Sequence, residues 1–203
     1  MPFWWQTSGL NNDKQFILLI SWLTGIFFAI LVSWESVVVS TKEVKKSAIE
    51  CCKMTGKSLP EALKVLSAFL SQDEYYLDTS KVYGDGGRVA LEKALVLFLN
   101  RPDLGFVWMA YDGNEPVGIC VVCFAISTSI GGIVAKLDDV FVATDRQNQG
   151  IGSLLLAYLK EELRQLGVRR IDTSVHFQNN AARRFYTKHD FLSLSEERLS
   201  CVL

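Results

Sequence analysis

The chain has 203 residues, enough for one domain with a core and something extra. Its formal net charge of −1 lacks the electrostatic footprint of a nucleic-acid partner, and its hydrophobic fraction of 49% stands toward the high end for a soluble protein. Five cysteines, an odd number in a mid-sized chain, make no disulfide framework and fit a reducing compartment. Residues 1–14 are mixed and include Trp4, Trp5 and Lys14. Gln15 to Trp34, QFILLISWLTGIFFAILVSW, then runs without a charge. A helix of that length spans about 30 Å, the thickness of a bilayer's hydrocarbon core. Trp4, Trp5 and Trp34 at its margins suit the two interfaces. The segment is therefore expected to be a transmembrane helix over 15–34. Two other readings stay open: a cleaved signal peptide, although no small-x-small site follows, and a hydrophobic helix docked on the protein itself or on another subunit. Lys14 precedes the segment, whereas Lys42, Lys45, Lys46 and Lys53 follow it. The positive-inside rule then predicts a single-pass membrane protein with its C-terminal side in the cytoplasm, the alternative being a soluble cytoplasmic protein.

Ser36 to Lys46 reads as a linker, which divides the chain into an N-terminal segment, 1–45, and a domain, 46–203. Ala48 to Met54 is expected as the domain's first strand. Ser58 is placed to cap a helix with Pro60 and Glu61 in its first turn, and Leu63, Leu66, Phe69 and Leu70 recur at helical spacing. Residues 73–78, DEYYLD, read as an acidic, aromatic loop before a second helix over about 87–99. Three strands follow: Gly105 to Tyr111, Pro116 to Ile126 and Ile133 to Ala143. The turns Asp112-Gly113-Asn114 and Ser127 to Gly132 separate them, and such short connections imply an antiparallel meander. Cys120 and Cys123 form a C-x-x-C inside a strand, where a separation of three sends side chains to opposite faces. No second ligand pair accompanies them, so they read as core residues and no metal site is expected.

Asp138 to Gly167 passes from strand to polar turn to helix. Ile151, Leu154, Leu155, Tyr158, Leu159, Leu163 and Leu166 have helical period, and Gly167 stands where a helix stops. The start of a helix carries unpaired N–H groups and the positive end of its dipole, and glycine lets a ligand approach the backbone. A strand, a glycine-bearing turn and a helix start thus make a seat for a phosphate or diphosphate. The dinucleotide fingerprint needs a third glycine where Leu155 stands, and the P-loop needs a lysine directly after Gly152. The remaining pattern is Gln147-x-x-Gly150-x-Gly152, with an ordinary strand-to-helix turn as the plain alternative. Arg169 to Phe177 is expected as a strand, parallel to the one before the turn by a right-handed crossover. Asn179 to Phe191, NNAARRFYTKHDF, supplies a last helix, and Phe191 to Val202 a last strand.

These two stretches together resemble the signatures of the GNAT superfamily of N-acetyltransferases. The first is similar to its acyl-CoA loop, Arg/Gln-x-x-Gly-x-Gly/Ala. The second is similar to its Asn, Ala, aromatic-Tyr and Gly-Phe motif, matched by Asn179, Ala182, Phe185, Tyr186 and Phe191. Asp190 stands where the family has glycine, which makes the turn into the last strand less regular. The resemblance covers about residues 47 to 203. It implies an α/β (α+β) fold: a mixed, mostly antiparallel sheet with helices on both faces, here with the N-terminal hydrophobic helix in addition.

The resemblance implies acetyl-CoA as cosubstrate and no metal. Phe141 and Val142 would contact the cofactor through their backbone, at the end of a strand that splays from its parallel neighbour. Gln147, Asn148, Gln149, Gly150, Ile151, Gly152 and Ser153 would hold the diphosphate. Asn179 would support the cofactor, cap its helix, or do both. Tyr186 would stand near the cofactor sulfur and protonate the leaving thiolate, a task for which a phenol of pKa about 10 needs positioning and a local field. An alkyl ammonium needs a base. Leu137-Asp138-Asp139 resembles the leucine-acid-acid run of the polyamine-acetyltransferase branch, which puts Asp138 first and Asp139 second; an ordinary ion pair is the other reading of either acid. Asp73, Glu74, Tyr75 and Tyr76 border the acceptor side in the family, where acids and ring faces suit a cation, unless they form a solvated loop. His176 and His189 are expected to be structural or cofactor-side. The expected activity is transfer of acetyl to a primary amine by direct attack in a ternary complex, the alternative being a non-catalytic CoA-binding regulatory domain. Expected partners are a small-molecule or peptide amine and the membrane through residues 15–34, with no nucleic acid; a homodimer stays open.

Overall fold

The computed structural model describes residues 16–23, 26–33, 49–83 and 86–201. The chain divides into two units, Met1–Lys46 and Ser47–Leu203. In the first, Phe16–Leu23 (β1) and Ile26–Ser33 (β2) are antiparallel strands, paired from Phe16 with Ser33 to Leu23 with Ile26. The helix expected over 15–34 is therefore not formed, and no described helix is long and apolar enough to cross a membrane. Lack of charge fits a buried strand as well as a bilayer helix. The β-branched and aromatic residues of both strands favour extended backbone. Trp4, Trp5, Lys14, Trp34 and the linker from Ser36 to Lys46 lie outside the described residues.

The second unit is built on a five-stranded sheet. Its strands are Ile49–Lys53 (β3), Gly105–Asp112 (β4), Glu115–Ser127 (β5), Gly132–Val142 (β6) and Ile171–Thr173 (β7), in the order β3-β4-β5-β6-β7. The first four are antiparallel neighbours, and β6 pairs with β7 in parallel. Alternation along β4 divides the core. Val107 and Met109 pack with Ala62, Leu66 and Leu95 on one face. Phe106, Trp108 and Ala110 pack with Leu155, Leu159 and Tyr186 on the other. The first face is covered by Leu59–Gln72 (α1) and Gly87–Asn100 (α3), and the second by Ile151–Gln165 (α4) and Asn180–Lys188 (α5). Burying one such leucine contributes about 1.5–3 kcal/mol, so the long apolar faces of α1 and α4 anchor both layers. Cys120 and Cys123 go to opposite faces, as their separation requires.

Three local expectations need correction. Residues 73–78 are not a loop but the start of a further helix, Glu74–Tyr83 (α2). Asp73 caps it: its Oδ1 accepts from the Tyr76 N–H at 2.8 Å, and its carbonyl accepts from Leu77 at 3.0 Å. The strand expected over 169–177 is confined to Ile171–Thr173, because β6 offers it partners only from Ala135 to Leu137. No strand forms over 191–201. Asp190 takes the left-handed conformation with φ +67°, the Phe191 N–H turns back to the Tyr186 carbonyl at 3.1 Å, and Leu192, Leu194 and Leu199 are left exposed.

Gly105 opens β4 with φ +143°, and a Cβ there would sit 1.9 Å from the Val122 carbonyl oxygen. Backbone on both sides leaves no room to relax. Gly105→Ala is expected to lower unfolding free energy by roughly 3 kcal/mol. A thermal melt unchanged from the parent chain would mean that β4 and β5 are not this close.

Candidate active site

The sheet opens where β6 outruns β7. Pairing ends at Leu137 with Thr173, yet β6 continues to Val142. On its other side, β6 pairs with β5 through Leu137 with Val122 and then Val140 with Cys120. Asp138 and Asp139 therefore face the single residue Val121, which is a β-bulge, a device that re-aims side chains beside functional clefts. Simple alternation would have sent the two acids to opposite faces. The bulge instead returns Leu137 and Val140 to the same core and leaves the acids between them.

The acids differ in surroundings. Asp138 is exposed, with Oδ1 accepting from Lys136 Nζ at 2.8 Å. Asp139 is withdrawn from solvent. Burial, then the charge of Asp138, push its carboxyl up to about 6, with Asp73 adding to the effect and Lys136 and Arg198 opposing it. Tyr186, 9% exposed, packs between Phe185 and Phe191 at ring distances of 5.2 and 5.1 Å. Burial raises its phenol to about 12, the Thr173 hydroxyl works against this, and the charges of Cys120 and Asp139 contribute further. The charge of Asp139 thus reaches the Tyr186 phenol. The thiols of Cys51, Cys52 and Cys120 are all raised, chiefly by burial, and so are poor nucleophiles.

The glycine turn lies at the other end of the gap. A 3-10 turn, Thr144–Arg146, leads into it. Gln147 Nε2 donates to the Val142 carbonyl at 3.0 Å, and Gln149 Nε2 to the Asp145 carbonyl at 3.0 Å. Asn148 and Gly150 take φ of +60° and +85°. The side chains thus bind the turn to itself. The first α4 amides, at Ile151, Gly152 and Ser153, lie ahead of the first intrahelical bond, from Leu154 to Gly150 at 3.1 Å. A Cβ on Gly150 would point into open space, and one on Gly152 would touch Phe185 at 3.4 Å and Val142 at 3.6 Å. Positive dipole, free amides and a clear approach fit a diphosphate. Phe141 turns its ring to Phe69 at 5.4 Å, on the α1 side, while Val142 packs on the α4 side. Asn179 is the N-cap of α5, its Oδ1 accepting from Ala182 at 2.9 Å. Ser153 Oγ lies 2.9 Å from His189 Nε2.

One residue that steadies the turn escaped sequence reading. Arg146 ties the turn to the β4–β5 hairpin, donating to Asp112 at 3.0 Å and Glu115 at 2.8 Å, partners more than thirty residues away. His176 connects α2 to the segment after β7: its Nε2 is 3.4 Å from Asp78 Oδ2 and its ring 5.1 Å from that of Tyr75. Among the described residues, no group of three or more His, Cys, Asp or Glu is placed to hold a metal ion.

Solved structures with this architecture include an aminoglycoside acetyltransferase, meta-AAC0020, from an uncultured soil metagenomic sample in complex with sisomicin. It has 17% identity and a TM-score of 0.61, over 76% of this chain and 96% of that one. A possible acetyltransferase from Clostridium difficile 630 has 15% identity and a TM-score of 0.65, over 76% and 97%. An integron cassette protein from the mobile metagenome of Cole Harbour Salt Marsh has 23% identity and a TM-score of 0.62, over 75% and 90%. At such identities the likeness is one of fold. No curated protein matches the chain. The family model described as acetyltransferase (GNAT) family matches residues 70–191, a span that holds the bulge, the glycine turn and Tyr186. With that match across most of the folded domain, the chain belongs to the GNAT acetyltransferase family.

Proposed function

We propose that the chain is an N-acetyltransferase that moves an acetyl group from acetyl-CoA to a primary amine by direct attack in a ternary complex. The observation that carries this is the gap where β6 runs on past β7, with the half-buried Asp139 at its bulge and the glycine turn that opens α4 beyond its end. Bound acetyl-CoA would supply an activated thioester. The amides at the start of α4, with Gly150, would hold its diphosphate, and the end of β6 at Phe141 and Val142, open on its β7 edge, would flank its pantetheine. Gln147 would orient Val142 through the bond to its carbonyl, and Asn179 would hold α5, and Tyr186 with it, in place through its cap.

Asp139 is the better base of the two acids. A carboxylate raised to about 6 is ionised at neutral pH yet binds a proton far better than an ordinary one. Asp138 is spent on Lys136. The amine arrives as an ammonium, and the approach past Asp73, Glu74 and Tyr75 on α2 suits a cation. Tyr186 acts chiefly as a hydrogen-bond donor to the departing sulfur. With the phenol at about 12 and a thiol near 8.5, complete proton loss is uphill by roughly 5 kcal/mol. Water or the released ammonium proton completes the transfer.

The test is thiol release from acetyl-CoA with a panel of primary amines, parent against Tyr186→Phe. Amine-dependent release is expected, and Tyr186→Phe should lower kcat by about tenfold to a hundredfold, the range of one charge-assisted hydrogen bond. Tight CoA binding with no release for any amine would support the regulatory reading instead.

A further inference from the structure

The chain has two histidines, and His189 takes no part in the chemistry above although it sits at the foot of the diphosphate seat. It follows α5 directly, and its Nε2 is 2.9 Å from Ser153 Oγ. Ser153 is the third residue of α4, on the same turn as the unpaired amides. The ring is held in position. The Phe185 ring lies against it, tilted, with centroids 4.8 Å apart, and Lys160 Nζ donates to its carbonyl at 2.6 Å. The charged groups around it are Lys160 on α4 and Lys188 and Asp190 on its own segment. Burial and the two cations outweigh the acid and keep the imidazole below its ordinary range. Either tautomer of the neutral ring fits this distance; with the hydrogen on Nδ1, Nε2 would accept the Ser153 hydroxyl hydrogen and turn it away from the seat.

We propose that Ser153 and His189 form a proton-linked clasp for the cofactor's diphosphate: the anion draws a solvent proton onto Nε2, Nε2–H donates to Ser153 Oγ, and the Ser153 hydroxyl donates to a phosphate oxygen. This rests on the acetyl-CoA reading above. At most one proton is taken up per cofactor, the fraction depending on pH, and no covalent bond other than N–H is made. The physical reason is local charge. Two lysines disfavour a third cation beside them, and a diphosphate on the same turn reverses that balance. The sign follows by linkage. The ring titrates low in the free protein and higher in the complex, so affinity rises as pH falls through that window and levels off below the free-protein value. Each unit of separation between the two values is worth about tenfold in affinity.

Calorimetry of CoA binding near pH 6.5, in two buffers of different ionisation enthalpy, gives the protons taken up. The 3′-phosphate of CoA titrates in the same region, so the quantity to read is the difference between the parent chain and His189→Gln. That difference is expected to be up to about half a proton per CoA. In the unsubstituted chain, NMR of the imidazole C2–H signals is expected to show His189 titrating about one unit higher with CoA than without. Equal proton uptake in both proteins, or a His189 titration unmoved by CoA, would overturn the clasp and leave the cofactor reading intact. No CoA binding to the parent chain at any pH would remove the cofactor reading and the clasp with it.

Discussion

Gly150→Glu is expected to weaken CoA binding by at least a hundredfold while leaving the domain folded. Gly150 has φ +85°, where a side chain costs roughly 1 kcal/mol in strain, and its Cβ direction is open. The glutamate therefore has room, and that room is the approach to the first α4 amides. A carboxylate there competes for the same N–H groups and repels a diphosphate at close range, where even screened like charges cost a few kcal/mol. Gly150→Ala separates the parts: it carries the strain without the charge and should cost about tenfold or less. Calorimetry with CoA reads both. Unchanged affinity in Gly150→Glu would move the diphosphate elsewhere and remove the turn from the mechanism.

Asp139→Asn is expected to lower kcat/KM by about a hundredfold to a thousandfold at neutral pH, the usual range for loss of a positioned base. In the parent enzyme, the acid limb of kcat/KM should bend at about 6, the value set by burial and by Asp138, with activity falling as pH drops below it. That limb should vanish in Asp139→Asn, while Asp138→Asn should keep it, displaced downward because a like charge beside Asp139 has gone. A stability effect goes with it. The carboxyl titrates near 4 when unfolded and at about 6 when folded. The protonated form's contribution is complete below about 4 and is lost as pH rises through 6. Asp139→Asn removes that loss and should raise stability at neutral pH by up to about 3 kcal/mol, measurable by denaturant unfolding at two pH values. A larger catalytic loss in Asp138→Asn than in Asp139→Asn would return the base to Asp138.

These two experiments probe parts of the site that differed in legibility. The glycine turn was legible because its geometry is local. Gln147, Gly150 and Gly152 lie within six residues of one another, and the strand before them and the helix after them declare themselves by period. The acids were legible as a pair and not as individuals. Which of them is withdrawn depends on the pairing of Leu137 with Val122 and Val140 with Cys120, a slip of one residue between distant segments that no alternation pattern encodes. Arg146 was silent for the same reason, its partners being Asp112 and Glu115. The start of α2 was misread although a local signal existed. Asp73 is an N-cap, outweighed by the polarity of the residues after it.

Local chemistry thus determined the segments of the domain: the meander, the α4 seat, the Asn179 cap and the Gly167 stop, where φ is +76° and the Val168 N–H returns to the Leu163 carbonyl at 2.9 Å. It also determined that residues 16–33 avoid charge, but not what form they take, because burial in a strand and burial in a helix ask for the same apolar composition. Only the tertiary structure decided that Phe16–Leu23 and Ile26–Ser33 pair as β1 and β2, that β7 stops at Thr173 and leaves that edge of β6 open to Val142, and that Asp139 is the more withdrawn of the two acids. β1 and β2 pair with each other across two residues, whereas the other two outcomes depend on hydrogen-bond partners and on solvent exclusion supplied by chain far away in sequence, and desolvation is a property of the surroundings rather than of the residue.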